Sequence, residues 1–200
     1  MEKPLTDIDL ILASASPRRA ELLRQVGARF TIHPADIDES QYPAESAEIY
    51  VQRMAREKAE TVAHQERRHQ LPVLGADTTV VLDQQVFAKP ADKRAAIATL
   101  RALSGRSHRV LSAIAVVADG RTELRLSETS VRFREITEQE YERYWSTGEP
   151  LGKAGAYAIQ GFAAVFVESI TGSYSGVVGL PLMQTFELFE RFNIACWNAR

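Results

Sequence analysis

Cysteine is almost absent from this chain. Cys196 stands alone, so no intrachain disulfide can form, and a reducing compartment, the cytoplasm, is the expected setting. Long apolar runs are missing as well. No stretch approaches the roughly 20 apolar residues of a membrane-spanning helix, and the apolar run within MEKPLTDIDLILASASPRR is too short for a signal-peptide core. No membrane partner is expected. Neither sign of charge is in excess: 24 Lys and Arg face 26 Asp and Glu, without the basic surplus of a nucleic-acid-binding surface. His33, His64, His69 and His108 lack metal-site spacing, and no serine sits in a nucleophile elbow. A G-x-x-x-x-G-K-[ST] loop and a G-x-G-x-x-G after the first strand are both missing. There are no repeats and no long linkers.

What remains is an ordinary globular composition, 45% hydrophobic over 200 residues, enough for a substantial core. One domain over residues 1–200 is expected, with residues 1–8 a flexible N-terminal segment. The pattern predicts a strand over 10–13, a helix ending at Gly27, a strand over 29–33 and an acidic loop over 34–43. Ser46 caps a helix to about 64, and a strand over 73–82 ends in a turn at DQQ. A helix over 92–103 stops at Ser104-Gly105, and 109–118 with 121–133 form a hairpin about Asp119-Gly120. Thr137 and Glu140 make a capping box. A glycine-rich loop over 148–161 then leads to a strand over 162–170, and TGSYSGVVG leads to a last helix beginning with Pro181. Interleaved strands and helices with a hairpin predict an α/β fold: a mixed sheet flanked by helices.

Four places break these patterns. In LILASASPRR, Ser16 reads as an N-cap and Pro17 as the first helical residue, which puts Arg18 and Arg19 in the first turn. Cations there oppose the macrodipole by about 0.3–1 kcal/mol each, so an anion is expected to arrive. Lys58 falls on the apolar stripe of Ala47, Val51, Met54, Ala55 and Val62; it either snorkels to an edge or faces a polar cavity. Asp77 interrupts the β-branched run of VLGADTTVVL, either as a structural carboxylate or at the edge of a cleft, with Gly75 allowing a close approach. Asp36, Asp38 and Glu39 either solubilise a loop or offer oxygens to a hard cation such as Mg²⁺. Arg18, Arg19, Lys58, Lys89 and Lys153 against Asp77 and Glu39 suit a polyphosphate–metal complex. Phosphate-ester or anhydride chemistry is expected.

The motifs LASASPRRAELL, AREKA at 55–59, GADTTVVLD, AKP at 88–90, LSGRSH, KAGAYAIQG and GSYSGVVGLPL, in this order, resemble those of the Maf family. That resemblance implies an elongated two-lobed fold with a central cleft, similar to inosine triphosphate pyrophosphatases. It implies a nucleotide pyrophosphatase that cuts a nucleoside triphosphate between the α and β phosphates with a divalent cation, Mg²⁺ or Mn²⁺. By the same resemblance Asp77 is the proton acceptor for water, Lys58 and Lys89 bind phosphate, and Glu39 joins Asp77 at the metal. Arg18, Thr78 and Gln160 match positions diagnostic of the branch acting on dTTP and UTP, with CTP and modified pyrimidine nucleotides as further candidates. Arg19 is better placed for phosphate, and Ser14, Ser16 and Lys153 complete the expected substrate contacts. Gln160 carries a donor and an acceptor that can pair with the O4/N3 edge of thymine or uracil. The family often has an aspartate before KAGAY, where this chain has Gly152. The alternatives are a 7-methyl-GTP pyrophosphatase and a nucleotide-binding regulator of septum formation; a homodimer is implied by the resemblance alone.

Overall fold

The computed structural model describes residues 8–66 and 70–197. The expectation for the first eight residues bears on 1–7, which lie outside the described residues, as does His69. Seven strands form one mixed sheet: β1 (Leu10–Leu12), β2 (Phe30–Ile32), β3 (Val73–Leu82), β4 (Gln85–Phe87), β5 (Ser107–Ala118), β6 (Arg121–Phe133) and β7 (Val167–Thr171). Their order is β2-β1-β3-β5-β6-β7, with β4 paired to β3. β1 runs parallel to β2 and β3, whereas β3–β4 and β6–β7 are antiparallel. The helices are α1 (Pro17–Gln25), α2 (Ala47–Gln65), α3 (Lys93–Leu103), α4 (Glu138–Ser146), α5 (Tyr174–Val178) and α6 (Leu182–Arg191). The expected mixed α/β fold is the one observed. No helix among the described residues is long and apolar enough to cross a membrane.

The chain divides into two compact units. The first comprises Met1–Asp77, Ser112–Leu126 and Gly179–Arg200. Its core holds Leu10, Leu12, Leu23, Met54, Leu74 and Phe189, each fully buried. β1 is buried along its whole length, as an apolar run in a parallel pairing must be. Behind it α2 presents Ala47, Val51, Met54, Ala55, Ala59 and Val62 to the core.

The second unit comprises Thr78–Leu111 and Ser127–Val178. Leu100 and Leu103 of α3 and Leu111, Val131 and Phe133 of the strands are buried in it. Glu140 accepts the Thr137 amide at 2.9 Å, the return half of the expected capping box. Asp83 and Gln84, at φ 49° and 66°, form the turn between β3 and β4.

Two expectations are corrected. Residues 162–170 are not one strand: Phe162–Phe166 is a 3₁₀ turn, and β7 begins only at Val167. Ala163 and Phe166, three residues apart, are buried, while Phe162 and Val165 are exposed. A continuous apolar run conceals that period of three from a reader of the sequence. Pro181 is the N-cap of α6 rather than its first residue, and a one-turn helix, α5, forms within the preceding glycine-rich stretch.

Candidate active site

The first unit holds seven of the expected site residues: Ser14, Ser16, Arg18, Arg19, Glu39, Lys58 and Asp77. At its centre Lys58 Nζ lies 2.8 Å from Asp77 Oδ1 and 2.6 Å from Glu39 Oε1. Local rules bring each one there. The Ser46 hydroxyl accepts the Ile49 amide at 3.3 Å and starts α2. Eleven residues into the helix Lys58 falls on its buried face, and its side chain is only 9% exposed. Gly75 lets the helix come against β3: a Cβ there would lie 2.1 Å from the Ala55 carbonyl oxygen and 2.7 Å from the Ala59 nitrogen. Asp77, two residues further along the strand, shares the Gly75 face and so meets the lysine. Gly75 thus makes room for a helix backbone. Lys58 does not snorkel to an edge; its charge is buried against two carboxylates.

Glu39 reaches Lys58 from the acidic loop, which hangs on Arg53, five residues earlier in α2. Arg53 donates Nε to Glu45 Oε1 at 2.7 Å and Nη2 to Glu45 Oε2 at 2.8 Å, the two-pronged geometry a guanidinium favours. Its Nη2 also donates to the Ser40 carbonyl at 2.9 Å, and its guanidinium carbon stands 3.8 Å over the Tyr42 ring. Tyr50 Oη donates to the Glu39 carbonyl at 2.9 Å. Burial, and then the Asp77 and Glu39 charges, push the Tyr50 hydroxyl up to about 12, so it stays a donor at neutral pH.

The opening loop is organised by Ser14. Its hydroxyl accepts the Ser16 amide at 3.3 Å and Arg19 Nη1 at 2.9 Å, while Arg19 Nε donates to the Gly179 carbonyl at 2.9 Å. Ser16 holds the N-cap backbone position, but its hydroxyl makes no cap bond, a correction to the expected cap. Arg19 is buried and Arg18 half-buried. Desolvation lowers the pKa of both guanidiniums; Asp77 opposes the shift at Arg19, and Glu21 opposes it at Arg18. Both remain cationic.

In the second unit Thr78 is half-buried in β3, and Lys89 is exposed between β4 and Pro90. Lys153 is half-buried, its Nζ 3.2 Å from the Leu151 carbonyl. Gln160 is exposed in a turn that Gly161 closes by donating its amide to the Ala158 carbonyl at 3.0 Å.

The family model for Maf-like protein matches residues 9–192. The chain belongs to the Maf family. Near full-length relatives agree. A protein of Alcanivorax borkumensis named dTTP/UTP pyrophosphatase is 52% identical over 190 residues, covering 94% of this chain and 98% of its own. Proteins of the same name from Hahella chejuensis, 50% identical over 190 residues, and Bordetella avium, 50% over 193, cover 94% and 93% of this chain and 94% and 96% of their own.

Within this Maf chain the Lys58 cluster is an ammonium holding two carboxylates side by side, one sheltered and one open. Asp77 is 13% exposed and Glu39 is 43% exposed. A sheltered carboxylate held in one orientation is a candidate proton acceptor, and two hard oxygen donors together suit a divalent ion. Among the described residues no three His, Cys, Asp or Glu side chains converge as a metal cluster. Sequence reasoning missed Arg53, Glu45 and Tyr50, which hold the loop of Glu39, and Tyr144 and Glu149, which accept the amides on either side of Gln160. The place of Arg53 beside Met54 on the buried side of α2 was the one available signal; nothing local distinguishes Glu149.

Proposed function

We propose that this chain hydrolyses dTTP and UTP between the α and β phosphates, releasing the nucleoside monophosphate and pyrophosphate. The observation that carries the reading is Lys58 Nζ held between Asp77 and Glu39, in a chain whose relatives bear that activity in their names. Asp77 accepts a proton from water as the water oxygen attacks the α phosphorus; the bond to the bridging oxygen breaks and pyrophosphate leaves. The Lys58 ammonium, 2.8 Å from Oδ1, orients the carboxylate until that transfer.

Glu39 and Asp77 would hold Mg²⁺ or Mn²⁺. Two carboxylates meeting at one ammonium fit an ion that completes its shell with substrate phosphates and water. When bound, the ion supplies positive charge to phosphate oxygens. Arg19 and the amides opening α1 favour phosphate, and Ser14 and Ser16 shape that loop. In the second unit Lys89 and Lys153 take the phosphate-binding role, and Thr78 and Gln160 the base-reading role, with Arg18 contributing to nucleotide choice. A site built around base hydrogen bonds rejects a mismatched base because buried polar groups are left unpaired. The cytoplasm and a homodimer are the proposed setting and assembly.

A panel of dTTP, UTP, CTP and 7-methyl-GTP, assayed for pyrophosphate with and without Mg²⁺, tests this. Release from dTTP and UTP, dependent on the metal, is expected. A preference for 7-methyl-GTP would overturn the base assignment, and tight dTTP binding without hydrolysis would make the chain a nucleotide-binding regulator instead.

A further inference from the structure

Gln160 stands on the turn 158–161, and both ends of that turn are tied to one pair of side chains. Going in, the Ala158 amide donates to Tyr144 Oη at 3.3 Å. Going out, the Phe162 amide donates to Glu149 Oε2 at 2.8 Å and the Ala163 amide to Glu149 Oε1 at 3.1 Å. Tyr144 Oη itself donates to Glu149 Oε1 at 2.8 Å, which closes the link. The space is fitted to this carboxylate: a Cβ on Gly161 would fall 2.0 Å from Glu149 Oε2. Ile159 is buried, whereas Gln160 beside it is exposed.

The pair is also anchored behind. Tyr144 is 3% exposed on α4, and its ring meets Phe166 edge-on at 5.2 Å. Burial and the Glu149 carboxylate push the Tyr144 hydroxyl well above its usual range, so it stays a donor at neutral pH. Capping the 3₁₀ turn of Phe162–Phe166 would require only the two amides on Glu149. The hold on Ala158, on the far side of Gln160, serves no such cap.

We infer that Tyr144 and Glu149 are positioning residues for base selectivity, holding the Gln160 turn from both sides so that its amide meets a pyrimidine edge in one orientation. The inference rests on the proposed role of Gln160 in reading the base. A side chain that discriminates by donor and acceptor placement needs its backbone held to within about 0.5 Å, and three oxygens of two linked side chains hold the turn here. Tyr144→Phe removes the hydroxyl and keeps the ring. Glu149→Gln keeps the shape and turns an amide group toward the Phe162 or Ala163 N–H.

The test is kcat/KM for dTTP, UTP and dATP in wild type, Gln160→Ala, Tyr144→Phe and Glu149→Gln, each checked as folded by circular dichroism. All three variants are expected to narrow the preference for dTTP and UTP over dATP by about tenfold, a magnitude typical of one pocket contact. In the positioning variants the change appears as a raised KM for the pyrimidine nucleotides. Tyr144→Phe added to Gln160→Ala should narrow selectivity no further. If Gln160→Ala narrows selectivity while Tyr144→Phe slows every nucleotide equally or none, the positioning role is overturned and the reading of Gln160 stands. If Gln160→Ala leaves selectivity intact, the reading of Gln160 fails, and the positioning role fails with it. Should Glu149→Gln not fold, Tyr144→Phe decides alone.

Discussion

Arg19, Arg53 and Lys58, the buried cations among the described residues, all belong to the first unit. The buried polar side chains of the second, Thr79, His108, Ser127 and Thr129, carry no formal charge at neutral pH. Each arrangement has its own physics. A buried cation needs anions or hydrogen-bond acceptors: Arg53 and Lys58 have Glu45, Asp77 and Glu39, and Arg19 has the Ser14 hydroxyl and the Gly179 carbonyl. The second unit relies on ring edges instead: Phe133 meets both His108 and Tyr157 at 4.9 Å, and His108 Nε2 pairs with Tyr157 Oη at 2.9 Å. Ion pairs seldom add stability over apolar packing of equal volume, so stability alone does not account for three buried cations in one unit. The neutral, aromatic unit is suited to holding a shape.

The sharpest way to break this contrast is Asp77→Asn. It should lower pyrophosphate release from dTTP by about 10³-fold, the general-base share of the rate, in a protein still folded by circular dichroism because Glu39 remains beside Lys58; near wild-type turnover would remove the charge from the chemistry. Next comes Arg53→Leu, which leaves Glu45 without its partner. A loss of about 3 kcal/mol in urea unfolding is expected, with residues 36–45 cleaved earlier in limited proteolysis. A cost under 1 kcal/mol would mean that the first unit does not depend on its ions.

His108 tests the neutral side. Burial lowers its imidazole pKa to about 4 from 6.5. Within that window the unfolded chain binds the proton that the folded one refuses, so stability is complete above 6.5 and falls as the pH drops toward 4. The full effect is about 3 kcal/mol at most. Urea midpoints at pH 7.5, 5.5 and 4.5 should show this slope in wild type and lose part of it in His108→Gln. Smallest of all, Tyr157→Phe should cost about 1 kcal/mol, the net value of one hydrogen bond, and leave the pH slope in place.

The elements were legible wherever local chemistry sets them. The cap at Ser46, the full extent of β3 and the turn at Asp119-Gly120 follow from short-range preferences that tertiary packing here reinforces. The run FAAVFV defeated the same reading, because burial every third residue looks like a strand when every residue is apolar. In the site, Lys58 and Asp77 announced themselves by being charged where their neighbours are apolar. Arg53 and Glu149 did not, since their value lies in carbonyls and amides of loops far along the chain.

Residue type and spacing by themselves determined that this chain would build a mixed α/β fold and marked Lys58 and Asp77 as charges among apolar neighbours, while the order of its motifs carried the resemblance to the Maf family. Periodicity encodes which face turns inward, and that is local information. Tertiary structure alone decided that one ammonium serves two carboxylates and that Ser14 takes up Arg19. It also decided that a tyrosine and a glutamate grip the turn of Gln160. Hydrogen-bond partnership depends on where distant segments meet, and no period along the chain records it.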